Sequence, residues 1–133
     1  MNLFINTSKE NQLGVFLIEK NKVVDKIFLK GDYKVSENLL KIIVKILKKN
    51  KVKFEQLEGI FTVAGPGPFT SIRISTAIAN TLSYSLQIPV AGLEIKRKKW
   101  TQREIVNEGL KQLANATAKE YIKPYYDKEP NIT

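Results

Sequence analysis

The stretch Gly59-Ile60-Phe61-Thr62-Val63-Ala64-Gly65-Pro66-Gly67-Pro68 constrains this chain more than any other. An unbroken apolar run over 59–64 reads as a strand covered on both faces, because a strand with one wet face would alternate. The two Gly-Pro pairs behind it force a turn, and 70–86 then predicts a helix. A buried strand feeding a helix is half of a parallel crossover, the building unit of an α/β domain.

The rest of the chain supplies the other pieces. Residues 3–7 read as a short strand ending in polar Asn6-Thr7-Ser8. Residues 14–19 and 23–29 are rich in Val, Ile and Phe around Lys20-Asn21-Lys22, the pattern of a hairpin. Gly31-Asp32-Tyr33 breaks it, and Ser36 is placed to cap a helix running to about Lys49. Residues 88–93 give a last short strand. The order is three strands, helix, strand, helix, strand, so the expected class is α/β. It is a mixed sheet of three antiparallel strands and then parallel ones, with helices packed on it. At 133 residues there is room for one domain, or one and a stub. From residue 96 the pattern weakens. Residues 101–119 read as a helix carrying Ile105, Val106, Leu110 and Leu113, with Gly109 counting against it, and 123–133 read as an extended tail.

Composition removes several chemistries. The chain has neither His nor Cys, which excludes disulfides, thiolate nucleophiles, Cys/His zinc sites and His-based triads. Its start lacks the basic region and cleavage site of a signal peptide, and no apolar run approaches a membrane span, so a soluble cytoplasmic chain is expected. Lys and Arg number 22 against 13 Asp and Glu, a net charge of +9. The excess is clustered at Lys41, Lys45, Lys48, Lys49, Lys51 and Lys53, and again at Lys96-Arg97-Lys98-Lys99. Each cluster read alone is a solvated face; together they admit a phosphate-rich partner. Only Trp100 interleaves an aromatic with these cations, which argues against stacking on single strands.

Two helices carry unusual faces. In the first, Leu39, Ile42, Ile43 and Ile46 form one stripe, and Leu40, Val44 and Leu47 widen it beyond the roughly 100° that a surface helix needs. The surplus must meet either the chain's own C-terminal segment or another molecule. In the second, Ile74, Ile78 and Leu82 recur at i, i+4, i+8 and are expected to face the sheet. Ser71, Ser75, Ala79 and Ser83 recur on another side, a small-residue stripe along which a further helix could approach. The expected partner-binding set is Leu39, Leu40, Ile43, Leu47, Ser71, Arg73, Ser75, Ala79 and Ser83. A bulky residue at Ser75 or Ala79 should then abolish partner binding while the domain stays folded. The Gly-Pro turn itself is a poor phosphate cradle, because Pro66 and Pro68 each remove a donor.

The run Val63-Ala64-Gly65-Pro66-Gly67-Pro68-Phe69-Thr70-Ser71-Ile72-Arg73-Ile74-Ser75 resembles the GPGSFTGLRIG signature of the TsaB family. Phe4-Ile5-Asn6-Thr7-Ser8 is similar to that family's opening IDTS strand and turn. Ser36-Glu37-Asn38-Leu39-Leu40 resembles its helix start and Ile88-Pro89-Val90-Ala91-Gly92 its next strand. Pro124-Tyr125-Tyr126 and Pro130-Asn131-Ile132-Thr133 resemble its tail. The resemblance implies an actin/Hsp70-like (ribonuclease H-like) fold. It also implies a non-catalytic scaffold role in making threonylcarbamoyladenosine on tRNA, by pairing with the catalytic subunit TsaD through the same two helices. A TsaE-type ATPase and tRNA join such a pair. Family members have two lobes, whereas here 1–94 would form one and 95–133 would replace the other. Asn6 stands where the family commonly has Asp, Ser71 and Ser75 replace glycines, and Pro68 replaces Ser.

Other function classes fit less well. A kinase of this superfold needs a second lobe and a metal-binding carboxylate on the first strand, and a ribonuclease H-type nuclease needs clustered carboxylates for two metals. A protease lacks a nucleophile–base pair. A stand-alone basic RNA- or tRNA-binding domain remains the alternative. No cofactor or metal of its own is expected, and whether a nucleotide sits at a subunit joint is left open. Without its partner, the chain is expected to form a homodimer through the same face.

Overall fold

In the computed structural model, which describes residues 1–31, 34–95, 100–117 and 121–122, Lys20 and Asn21 both adopt positive φ (50° and 66°). They close β2 (Gln12–Glu19) onto β3 (Lys22–Lys30) in a two-residue turn whose twist suits an antiparallel pair. β1 (Asn2–Asn6) lies antiparallel to β2 and parallel to β4 (Gly59–Gly65), and β5 (Val90–Glu94) extends the parallel side. The sheet order is β3-β2-β1-β4-β5, so the expected mixed α/β sheet is present. The basic run 96–99 and the tail 123–133 lie outside the described residues, as do Asp32 and Tyr33.

Side chains alternate across this sheet and build two cores. Leu3, Ile5, Leu13, Val15, Leu17 and Ile60 point to one face. There they meet α1 (Val35–Lys49) and α2 (Phe69–Leu86), which pack side by side. Phe4, Phe16, Phe61, Val63 and Leu93 point to the other, against Ile105, Val106 and Leu113 of α3 (Gln102–Ala114). Phe4 is stacked between Phe16 and Phe61, with ring centroids 5.0 and 4.6 Å away. Such pairs add about 1 kcal/mol each beyond their burial. β4 is buried throughout because it is central and covered on both sides.

Four local expectations change. Ser36 is not the cap of α1: the helix begins at Val35 behind Lys34, which makes no side-chain cap bond, and Asn38 Nδ2 donates to the Lys34 carbonyl instead (2.8 Å). α3 ends at Ala114 rather than near 119, with the Asn115 amide closing onto the Gln112 carbonyl and the Ala116 amide onto that of Leu113. Its start is well fixed. Thr101 Oγ1 accepts from the Glu104 amide (3.1 Å), and the Glu104 carboxylate accepts from the Thr101 amide (3.2 Å), a reciprocal cap. Gly109 does not break this helix; a Cβ there would lie 2.2 Å from the Phe61 ring, so the missing side chain is what lets α3 settle on β4.

The fourth change matters most for function. α2 is rotated relative to the expectation: Ser75, Ala79 and Ser83 are fully buried and face the sheet, while Ile74, Ile78 and Leu82 are only half-buried on its flank. The small stripe lets α2 lie close on the sheet, and its hydroxyls find partners there. Thr7 Oγ1 donates to Ser75 Oγ (2.9 Å), which donates to the Ile72 carbonyl (3.1 Å). Ser83 Oγ donates to the Ile88 carbonyl. A Ser hydroxyl bonded in this way is cheap to bury, so the stripe serves as an internal contact.

Candidate docking surface

The turn ahead of α2 is built from backbone rather than opened to a ligand. Gly65 has φ 139° and its peptide bond to Pro66 is cis. A Cβ on Gly67 would lie 2.8 Å from the Ser8 carbonyl oxygen, so the β1–β2 loop packs directly against this turn. Asn6, at the position where an Asp is commonest in the resembling family, spends its Oδ1 locally. It accepts from the Ser8 amide (3.0 Å) and the Ser8 hydroxyl (2.6 Å), an Asx turn. Among the described residues no cluster of three or more His, Cys, Asp or Glu is placed to hold a metal. No helix is long and apolar enough to cross a membrane.

The two helices on the first face leave a seam between them. Lys49 and Asn50 turn one flank of α1 toward β3, where both meet Asp25 (3.3 and 2.8 Å). The hydrogen bond from Asn50 is the main cause holding the Asp25 carboxyl below the usual carboxylate range, with the Lys26 amide and the Lys49 ammonium adding to it and burial opposing it. On α2, Asn80 holds Ile122 beside β5 by a two-way bond, Nδ2 to its carbonyl (3.0 Å) and Oδ1 from its amide (2.9 Å). The opposite flanks therefore face each other over the middle of the sheet: Leu40 and Val44 from α1, Ile74, Ile78 and Leu82 from α2. Leu40 is 50% exposed, Val44 and the three α2 residues are half-buried, and Ala77 and Thr81 form the exposed crest next to them.

The nine residues expected from the sequence divide accordingly. Leu39, Ile43, Leu47, Ser75, Ala79 and Ser83 are buried in the chain's own core and offer no surface. Leu40 is exposed in the seam, Ser71 is half-buried, and Arg73 is exposed with its guanidinium 5.4 Å from the Phe69 ring centroid. The surplus apolar width of α1 is thus mostly absorbed by the sheet, and Leu40 and Val44 are what remain. The spacing of Ile74, Ile78 and Leu82 alone predicts that they face the sheet. The signal for their real place is that two i, i+4 stripes compete on one helix, and the small one fits closer to a sheet.

The family model described as TsaD, tRNA N6-adenosine threonylcarbamoyltransferase, matches residues 32–95, from the α1 side of the molecule through β5. Curated relatives named tRNA threonylcarbamoyladenosine biosynthesis protein TsaB are similar to this chain over part of their length. That of Buchnera aphidicola from Acyrthosiphon pisum is 33% identical over 67% of this chain and 43% of its own length. That of the Schizaphis graminum strain is 38% identical over 51% and 38%. The Bacillus subtilis protein is 29% identical over 68% and 39%. The matches thus span less than half the length of these relatives. Among solved structures, YeaZ from Pseudomonas aeruginosa is similar with a TM-score of 0.64 and 24% identity, covering 70% of this chain and 43% of that one. A second Pseudomonas aeruginosa structure, titled as having similarity to peptidase YEAZ, gives the same score over 42% of its length. These neighbours have the actin/Hsp70-like fold, and the strand–turn–helix motif lies at the heart of the shared region. The chain is thus similar in sequence to TsaB proteins and in fold to YeaZ, over less than half the length of either.

Proposed function

We propose that this chain is a non-catalytic subunit in the biosynthesis of threonylcarbamoyladenosine on tRNA, docking a TsaD-type transferase along the α1–α2 seam. The observation that carries the reading is the apolar seam itself, with Leu40 half exposed on α1 and Ile74 and Ile78 half-buried on α2. A helix pair with small Ala77 and Thr81 on its crest suits another helix pair laid across it, since short side chains let axes approach to within about 8–10 Å. A related fold in the partner would offer a similar pair. The absence of His and Cys from the sequence supports a role that shapes another protein's site. On this reading 1–94 are the retained lobe, 95–133 stand in place of the second one, and the TsaE-type ATPase and tRNA are met through the transferase.

The test is co-elution of the chain with a TsaD-type transferase on size exclusion, repeated with Leu40→Asp. Because Leu40 is exposed, the substitution should change stability by no more than about 0.5 kcal/mol, yet it places a carboxylate in the buried middle of the joint. Loss of the complex with an unchanged melting curve is expected. An intact complex in L40D, or none with the unsubstituted chain, would overturn the proposal.

A further inference from the structure

α3 packs over β4 and β5, Phe16 and Ile18 of β2 are buried beside it, and β3, at the border of this face, stays largely exposed. On that face it presents Lys26, Phe28 and Lys30, paired across the sheet with Phe16, Gly14 and Gln12. Since Phe16 belongs to the α3-side core, the alternation puts all three on this face. Gly14 makes the surface flat: a Cβ there would lie 2.9 Å from Phe28 Cε1, so the ring rests on the strand beneath. Phe16 supports it edge-on at 5.2 Å and 86°, and Lys26 Nζ stands 5.7 Å from its centroid. Phe28 is nonetheless 43% exposed. It forms one wall of a groove of about 390 Å³, shared with Lys30 and Lys9, and Trp100 stands in the opposite wall. No carboxylate is among the described residues lining this groove. The Trp100 indole N–H is buried and has no hydrogen-bond partner among the described residues.

We propose that the groove between β3 and Trp100 binds a single-stranded segment of RNA, a base stacking on Phe28 and its flanking phosphates meeting Lys26, Lys30 and Lys9. An exposed aromatic ring between cations, on a wall free of acids, matches the two parts of a nucleotide chain: an apolar flat face and regularly spaced negative charge. A duplex keeps its bases stacked on one another and cannot offer that face. Four basic residues precede Trp100 in the sequence, which favours a strand over a free nucleotide. The lack of interleaved aromatics expected of the two lysine clusters does not extend to β3, where the strand's period of two brings cations and an aromatic together. The choice of RNA over DNA rests on the proposed tRNA-modification role; the groove itself lies on the opposite side of the sheet from the α1–α2 seam.

Trp100 is the chain's only tryptophan, so its fluorescence reads this groove directly. The full chain, without any partner protein, is titrated with an oligouridine of about ten nucleotides, and in parallel with an RNA duplex of equal length and with uridine monophosphate. Saturable quenching by the single strand alone is expected, weakened about tenfold or more in Phe28→Ala. Lys30→Glu should also weaken it and make its dependence on log salt shallower by about one. Equal quenching by the duplex, by the mononucleotide alone, or no quenching at all would overturn the proposal, as would unchanged binding in a folded F28A. Should F28A not fold, the exposed Lys30 variant decides alone, and unaltered affinity there overturns the proposal. Neither variant touches the seam, so complex formation with the transferase should survive both. Failure of that complex and failure of RNA binding are thereby separable.

Discussion

Asp25 ties β3 to the end of α1 through one carboxylate. It sits on β3, accepts from Asn50 at the end of α1, from its neighbour's amide, and from Lys49. Each of these interactions favours the ionised form, and its carboxyl titrates below the usual value. A carboxyl whose folded pKa is depressed stabilises the fold above its unfolded pKa of about 4, and that contribution disappears as pH falls through the folded value. Asp25→Asn should therefore be less stable than the parent at neutral pH, and the two should converge below about pH 4. Urea unfolding at stepped pH measures the gap. A gap that stays constant with pH would mean that the carboxylate's charge is irrelevant and only its shape matters.

At the scale of elements, α2 decides how the two faces of the molecule are used. Its inward stripe of Ser75, Ala79 and Ser83 has no room for a larger side chain, and Ser75 is bonded to Thr7 at the end of β1. Ser75→Leu should cost about 2 kcal/mol, mainly from overpacking, with the Thr7 hydroxyl left only its longer bond to the Ser71 carbonyl (3.2 Å). The shift shows as a lower urea midpoint. This reverses the expectation that bulk at Ser75 would spare the fold and only remove a partner. Most of the elements were legible in the sequence: the alternation of β2 and β3, the apolar run of β4 and the amphipathic spacing of α1 each specify their own structure locally. The rotation of α2 was not legible, because both of its stripes have the same i, i+4 period, and which one faces inward depends on how close the sheet lets the axis come. Likewise Lys26, Phe28 and Lys30 announce a common face by their spacing, yet only the reach of α3 determines that this face stays open.

For the molecule as a whole, three layers mean that neither side of the sheet is dispensable. α3, with Trp100 ahead of it, covers Phe4, Phe61, Val63 and Leu93 on its face, a patch that a soluble monomer rarely exposes. A chain ending at residue 95 should accordingly bind the dye ANS strongly and aggregate, whereas the full chain should not. A monomeric, dye-silent 1–95 fragment would show that the sheet can hold its shape with one side bare.

Asn80's grip on Ile122 has a consequence of its own. α3 lies on one side of the sheet and Ile122 on the other, so β5, a border strand, has described residues seated over both of its faces. The other border strand, β3, carries Lys22, Lys26 and Lys30, whose like charges repel an approaching copy. Strand addition from a neighbouring molecule is thereby discouraged at that edge.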